Sequence, residues 1–248
     1  MNCIFGSSDD ALIASGRYEY FLDRELQPIE ERWRLYRRQR KLWLDSERYV
    51  SSISLRLSAR AELVQGEITR CLVSWVDSGL RVSSAIFTRE SDSSARYFHR
   101  PAGQPARSYI RSERVFFPLL RVYTGLALGG ILSRGADTGS GHSARVLIPW
   151  IKDPAQKGKL LEPSTATRTA IPRQCSFPVF PDHASNIPLG ASLDCYQYSG
   201  EQYGDDTRFW VADGLLHAYR WNQAGRDWMI RLTDMQGQWP GRFSSSLL

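Results

Sequence analysis

Alternation of apolar and polar residues with a period of two runs through most of the chain and is densest between Thr207 and Asp234. There, two runs rich in aromatic and β-branched residues flank the pair Asp213-Gly214. This pair predicts a β-hairpin, because glycine accepts the positive φ that a type I′ turn needs. A short break at 223–227 predicts a further turn into Trp228–Asp234. The segment is therefore expected to form a three-stranded antiparallel sheet.

The pleat of these strands predicts one strongly aromatic face. Successive side chains of a strand point to opposite sides of the sheet, so alternate residues share a side. The aromatic face is expected to carry Leu215, His217, Tyr219, Trp221, Trp228, Ile230 and Leu232.

Earlier segments continue the same alternation. Residues 29–37 fit either a helix or a strand, and we favour two strands over 29–48 because the segments that follow keep a period of two. Asp77-Ser78-Gly79 predicts another hairpin. Further strands are expected at 16–22, 52–64, 68–76, 80–87, 144–151 and 191–199.

One apolar segment, 116–133, breaks the alternation. Pro118 suits the first turn of a helix, and the residues after it are apolar almost all round, which is typical of a buried helix. The spacing Gly125-x-x-x-Gly129 is also found between membrane helices. Arg121 and the pair Gly129-Gly130 argue against a membrane span, so we expect a buried helix and no span.

These patterns predict a mainly β fold in a single domain, 1–248, with loose ends at 1–12 and 242–248. We expect a strongly curved antiparallel sheet or incomplete β-barrel of about ten strands, with one buried central helix near 116–133. In general shape this resembles lipocalin-type barrels and the helix-plugged half-barrels of bacterial lipoprotein carriers. The resemblance implies an architecture and no functional residues. The competing architecture is a β-sandwich with the helix outside.

The net charge of +6 is modest and spread along the chain. Arg32–Lys41 is its most basic stretch and could face a phosphate group, but a solvated strand face explains it as well. We therefore expect no nucleic-acid partner. The four cysteines form no C-x-x-C pair, and the first residues carry no secretory signal pattern. The expected location is the cytoplasm.

No motif indicates a metal or a cofactor. The four histidines lack metal-ligand spacing, and the glycine-rich stretch 135–143 lacks the lysine of a phosphate loop. Backbone amides at 139–141 could instead form a small anion nest beside His142 and Arg145. We expect neither a metal nor a cofactor.

Three ionisable residues are candidate catalytic groups because each alternates with aromatic residues on a strand. They are His217, Asp194 and Glu19. An apolar cavity would disfavour their charged forms and suit them to acid–base chemistry. The plainer interpretation is a core histidine and two outward carboxylates. Candidate ligand-binding residues are Tyr196, Tyr198, Trp210, Tyr219, Trp221, Trp228, His142 and Arg145.

Two functions fit these features. The first is a binding or carrier protein that holds a hydrophobic small molecule or lipid against the concave face of the sheet. The alternative is a cofactor-independent isomerase, cyclase or hydro-lyase that acts on an apolar substrate in the same cavity. If the helix packs directly on Tyr219, Trp221 and Trp228, these aromatics are core, whereas a gap between them would be the site.

Overall fold

The computed structural model of the chain describes residues 11–38, 41–80, 82–113, 115–149, 164–181, 192–200 and 206–240. The expected loose ends lie outside these ranges except for residues 11 and 12. These two residues already belong to the first strand, so the expected loose N-terminal end is corrected at that point.

Strands make up most of the described residues, which contain seventeen strands and one α-helix, α1. The elements are β1 Ala11–Leu22, β2 Glu25–Leu26, β3 Ile29–Arg38, β4 Lys41–Val50, β5 Leu55–Val64, β6 Glu67–Val76, β7 Val82–Arg89, β8 Ala95–Arg100, β9 Arg107–Arg111, β10 Val115–Phe116, α1 Val122–Arg134, β11 Ala136–Asp137, β12 His142–Ile148, β13 Ser164–Arg173, β14 Asp194–Ser199, β15 Arg208–Ala212, β16 Leu215–Gln223 and β17 Arg226–Gly237.

The strands form one large curved sheet that is almost entirely antiparallel. Strand β1 pairs with β3 on one side and with β17 on the other, so the first and last described strands lie side by side in the middle of the sheet. From there the sheet runs outward through β3–β9 in one direction and β17–β12 in the other. Within the described residues β9 and β12 do not pair, and the sheet is not closed into a barrel. The expected mainly β fold is confirmed.

The predicted hairpins are present. Asp213 and Gly214 both have positive φ, 50° and 81°, as a type I′ turn requires. Ala224 and Gly225 repeat this geometry in the turn between β16 and β17. Residues 29–37 are strand, as expected. The estimate of about ten strands was too low, because β2, β10 and β11 have two residues each and the polar segment 91–112 contains β8 and β9.

Helix α1 starts later than expected. Val115 and Phe116 pair with β12 as a short parallel strand, and the Phe117 N–H donates to the carbonyl of Leu147. Leu119 then takes a left-handed conformation, with φ of 67°, and the helix begins at Val122. Within the described residues, no helix has the length and apolar character needed to cross a membrane.

The helix lies against the concave, inner face of the sheet. It contacts β6 from one half of the sheet and β10, β12, β13 and β16 from the other. Tyr123 is fully buried, and its hydroxyl donates to the carbonyls of Leu44 on β4 and Ala59 on β5. A helix that reaches both halves must fill the curve, which excludes the sandwich with an outer helix.

A buried carboxylate fixes the start of the helix. Glu31 on β3 is 0% exposed, and it accepts hydrogen bonds from the Tyr20 hydroxyl and from the Arg121 backbone N–H. The guanidinium of Arg48 lies 2.8 Å from the same carboxylate. Burial raises the pKa of Tyr20, so its phenol stays protonated and can donate. This cluster supplies a partner to the helix N-terminus, where backbone N–H groups lack one.

A second apolar cluster covers part of the outer face of the sheet. Phe177 and Phe180, from the segment after β13, pack on Trp210 and Phe21 with ring centroids 6.1 and 5.5 Å apart. Arg231 is buried beside them, with its guanidinium 5.4 Å from the centre of the Phe180 ring. Both faces of the sheet are therefore buried here.

Candidate functional site

A cavity of about 510 Å³ lies between the helix and the sheet. One face of α1 forms its first wall, the turn at 65–67 between β5 and β6 forms its second, and strands β14 and β15 with the turn at 213–214 form its third. Regular elements position all three walls, so the cavity is part of the folded framework.

Two glycines of the helix explain why the cavity exists. At Gly125 a Cβ atom would overlap the carbonyl oxygen of Gly214, so the helix and the turn are in direct backbone contact there. One turn later, a Cβ atom at Gly129 would meet nothing within 4 Å. The helix therefore touches the sheet at Gly125, whereas the space beside Gly129 is open to solvent.

The strand wall carries both apolar and acidic side chains. Asp194 on β14 pairs in register with Val211 on β15, and both line the cavity. Tyr196 lies two residues after Asp194 on the same face of its strand, and Asp213 lies two residues after Val211. From the helix, Leu128 and Leu132 complete the apolar part of the lining.

The third acidic group, Glu67, is neutralised by arginines. Arg134, at the end of α1, binds it with Nε 2.7 Å from Oε1, and Arg89 on β7 binds the same carboxylate. Burial raises the pKa of Glu67, but the hydrogen bonds from Arg134 and Arg89 outweigh this effect and lower the pKa below its usual value. Glu67 thus ties the helix end to the sheet.

His217 is a core residue and does not line the cavity. It is 6% exposed, and among the described residues its Nδ1 has no hydrogen-bond partner. Burial lowers the pKa of His217, and the charge of Asp213 raises it by a smaller amount, so the net shift is downward. The imidazole is therefore neutral at neutral pH. The expected place of His217 in a ligand cavity is corrected.

The expected place of Glu19 in a ligand cavity is likewise corrected, because Glu19 lies on the outer face of the sheet. Its carboxylate binds Arg231 at 2.7 and 2.9 Å and Arg17 at 3.0 Å. The neighbours Tyr18 and Tyr20 point to the inner face, and alternation places Glu19 opposite them. A carboxylate held by two arginines on the far side of the sheet cannot reach the cavity.

Most of the predicted aromatic residues form a packed ladder outside the cavity. Ring centroids are 4.6 Å apart for Tyr198–Phe209, 4.5 Å for Phe209–Tyr219 and 4.4 Å for Tyr219–Trp221. Trp228 stacks on Trp221 at 5.4 Å, and the guanidinium of Arg121 lies 4.9 Å from the Tyr219 ring centre. These residues pack on one another and do not line the cavity, and Trp210 belongs to the outer-face cluster. Of the predicted aromatics, Tyr196 lines the cavity.

His142 and Arg145 lie on β12, away from the cavity. Arg145 forms an ion pair with Glu113 at 3.1 Å beside a separate space of about 170 Å³. The Gly139 N–H donates to the Asp137 side chain at 2.7 Å, so this amide of the expected anion nest is already occupied. Among the described residues no group of three or more His, Cys, Asp or Glu side chains could hold a metal ion.

Of the candidate residues chosen from the sequence, Asp194 and Tyr196 line the cavity, and its other lining residues were not among the candidates. Gly129, Val211 and Asp213 were not proposed. The spacing Gly125-x-x-x-Gly129 was the available signal, because it marks a helix face without side chains. In this chain that face meets a β-turn at one glycine and the open cavity at the other.

Comparison with known proteins finds a similar fold and no similar sequence. No family model matches the chain, and no curated protein matches it. A solved structure from Brucella abortus, described as a beta-barrel-like protein of domain of unknown function DUF1849, superposes with a TM-score of 0.51. The match covers 92% of this chain and 99% of that one, at 7% sequence identity. The shared feature is the fold.

Proposed function

We propose that the chain is a binding or carrier protein that holds a hydrophobic small molecule or lipid in the cavity beside Gly129. The observation that carries this proposal is the open space beside Gly129, a solvent-exposed glycine on the face of α1 that lines the cavity. Its volume of about 510 Å³ falls within the range of about 300–1,000 Å³ typical of small-molecule sites.

The lining supports an apolar ligand. Leu128 and Leu132 from the helix and Val211 and Tyr196 from the strands all line the cavity. Moving apolar surface from water into contact with such a lining is favourable by about 25 cal/mol for each Å². A ligand of drug or acyl-chain size therefore gains several kcal/mol from burial alone.

The framework around the cavity supports a preformed site. Tyr123 ties the helix to β4 and β5, Glu31 fixes its start, and Glu67 with Arg134 fixes its end. A site whose walls are already ordered loses little conformational entropy when the ligand binds.

Acid–base catalysis has less support. A proton transfer needs groups within hydrogen-bond reach of the bound substrate. Among the described residues, His217 and Glu19 do not line the cavity, and Asp194 is the one candidate catalytic residue that does. Binding alone requires no such constellation.

The test is a titration with the neutral fluorophore N-phenyl-1-naphthylamine. Wild-type protein is expected to bind it with a blue shift and increased emission, because the probe leaves water. Gly129→Trp puts a large side chain into the open space and is expected to weaken binding at least tenfold. Gly129→Ala adds one methyl group and is the matched control, expected to retain binding.

Near-UV circular dichroism of each variant checks that the core is intact. Binding to the folded Gly129→Trp variant with wild-type affinity would overturn the proposal. Absence of binding to the wild-type protein would overturn it as well.

A further inference from the structure

We propose that Cys175 and Cys195 are a reversible disulfide pair, which a small disulfide such as glutathione disulfide oxidises. The bond fastens the segment that carries Phe177 and Phe180 to the outer face of the sheet. This inference does not depend on ligand binding in the cavity, so either proposal can fail without the other.

The fold brings together two cysteines that show no pairing pattern in the sequence. Strand β13 pairs with β14, with Arg173 opposite Cys195, and Cys175 follows Arg173 by two residues. Cys175 packs against the outer-face cluster, to which Cys195 belongs. Both residues are free thiols, and the two thiols are hydrogen-bonded to each other. Because Cys175 lies beyond the end of β13, its backbone is outside the strand ladder and can adjust to the geometry that a disulfide requires.

An oxidant can reach this pair from the solvent. Cys175 and Cys195 both line a space of about 390 Å³ at the end of β13 and the start of β14. Cys175 is half-buried, whereas Cys195 is 5% exposed. Cys175 is therefore the thiol that meets the oxidant, and Cys195 is the thiol that completes the bond.

The reaction is a thiol–disulfide exchange in two steps. The thiolate of Cys175 attacks one sulfur of glutathione disulfide and releases one glutathione, which leaves a mixed disulfide on Cys175. Cys195 then loses its proton to the solvent and attacks the Cys175 sulfur, which releases the second glutathione. The two protein thiols are oxidised to one disulfide, and one glutathione disulfide is reduced to two glutathione thiols.

The neighbouring thiol affects the protonation of Cys195. Burial raises the pKa of Cys195 to about 12, and Cys175 adds to this increase through its hydrogen bond and its charge. A mixed disulfide on Cys175 has no thiolate charge, so that part of the increase is lost after the first step. This change favours the second step.

The bond would lie beside the contact that holds the segment on the sheet. Cys195 pairs in register with Trp210 on β15, and Phe177, two residues after Cys175, packs on the Trp210 ring. A cross-link at this point ties the start of the segment to the strand next to Trp210. Because local opening requires the segment to leave the sheet, the cross-link is expected to suppress that opening.

The experiment follows the oxidation by mass spectrometry. Reduced protein is incubated with excess glutathione disulfide at neutral pH, and the remaining thiols are blocked with N-ethylmaleimide in guanidinium before digestion with trypsin. Since no lysine or arginine lies between 174 and 207, both cysteines fall in the tryptic peptide 174–208. In most chains this peptide is expected to take up no maleimide and to be lighter by two hydrogen atoms, and dithiothreitol is expected to reverse the change.

Two variants and one internal control test the pairing. Cys175→Ser is expected to leave Cys195 reduced, whereas the matched control Cys3→Ser is expected to form the oxidised peptide as the wild-type protein does. Cys71, which is 0% exposed, is expected to stay reduced throughout. A peptide 174–208 that stays reduced would overturn the inference, as would a lasting glutathione mixed disulfide on Cys175 or a bond from Cys175 to Cys3.

Hydrogen exchange tests what the bond does to the segment. The backbone amides of 176–181 are expected to exchange about tenfold more slowly in oxidised than in reduced protein, because local opening limits their exchange. Cys175→Ser treated with the same oxidant is expected to show no change. Equal exchange in fully oxidised and reduced wild-type protein would overturn the fastening of the segment.

Discussion

Gly125 of the helix lies against the backbone carbonyl of Gly214 so closely that a Cβ atom at position 125 would overlap the oxygen. This contact sets the distance between the helix and the sheet at one point. One helical turn away, Gly129 faces open space. The pair of glycines thus defines both the closest approach and the cavity beside it.

Alanine at these two glycines should have opposite effects on stability. Gly125→Ala forces the helix and the turn apart and is expected to lower the free energy of unfolding by about 1–3 kcal/mol, as overpacking does. Gly129→Ala meets no atom and is expected to raise it by about 0.5–1 kcal/mol, because alanine favours a helix. Urea denaturation measures both values. Equal effects at the two positions would contradict the contact described for Gly125.

Glu31 should be the most sensitive carboxylate on β3. Glu31→Gln leaves the partly buried Arg48 without its counter-charge and removes a fully buried carboxylate, and it is expected to cost about 3–5 kcal/mol of unfolding free energy. The neighbouring Glu30→Gln is the control, because Glu30 is 70% exposed and its ion pair is a surface pair. Chemical denaturation of the two variants makes the comparison. A Glu31→Gln variant as stable as Glu30→Gln would show that the buried cluster does not hold the helix.

His217 should make the fold sensitive to mild acid. Its pKa in the folded chain lies below the ordinary value of 6.5, so below that pH the unfolded chain takes up a proton that the folded chain does not. Stability is then lost as the pH falls from 6.5 toward the folded pKa, by up to about 1.4 kcal/mol for each pH unit.

The measurement compares the unfolding free energy of wild-type protein and His217→Gln at pH 7.5 and pH 5.5. The wild-type protein is expected to lose more stability than the variant between these two conditions. Parallel losses would show that burial does not lower the pKa of this histidine.

A substitution in the aromatic ladder should lower the stability of the fold without weakening ligand binding. Trp221→Leu removes a ring stacked between Tyr219 and Trp228 and is expected to reduce stability by about 1–3 kcal/mol. Its affinity for N-phenyl-1-naphthylamine is expected to stay within twofold of the wild-type value, because Trp221 does not line the cavity. A tenfold loss of probe affinity in the folded variant would place the ligand at the ladder.

Much of the fold could be predicted from the sequence. The alternation at 29–37 and the pair Asp213-Gly214 correctly indicated strands and a hairpin, because both patterns depend on local geometry. The apolar run before Gly135 correctly indicated a buried helix. The predicted start of the helix was too early. Val115 and Phe116 form a strand with β12 instead, and this pairing joins segments that are distant in the sequence.

Assignment of side chains to the two faces could not be predicted in full. Counting by twos places Leu216 opposite Tyr219. A β-bulge between Trp210 and Val211 changes the register, however, so Leu216 and Tyr219 both pack into the inner core. A bulge depends on strand pairing and has no clear mark in the sequence.

The apolar cluster on the outer face also prevented a correct assignment of side chains to the two faces from the sequence. Glu19 alternates with aromatic residues that pack inside, but the segment bearing Phe180 buries the outer face near it as well. Where both faces of a strand are covered, alternation does not identify the side that holds a cavity. The position of Glu19 therefore required the three-dimensional pairing with Arg231.

The most direct test of the binding site is a crystal structure with 12-bromododecan-1-ol, located by the anomalous signal of bromine. We predict a bromine peak or chain density inside the cavity bounded by Gly129, Tyr196 and Val211, and its absence from crystals of Gly129→Trp. A ligand found against Trp221 and Trp228, or elsewhere on the protein with the cavity empty, would contradict the account.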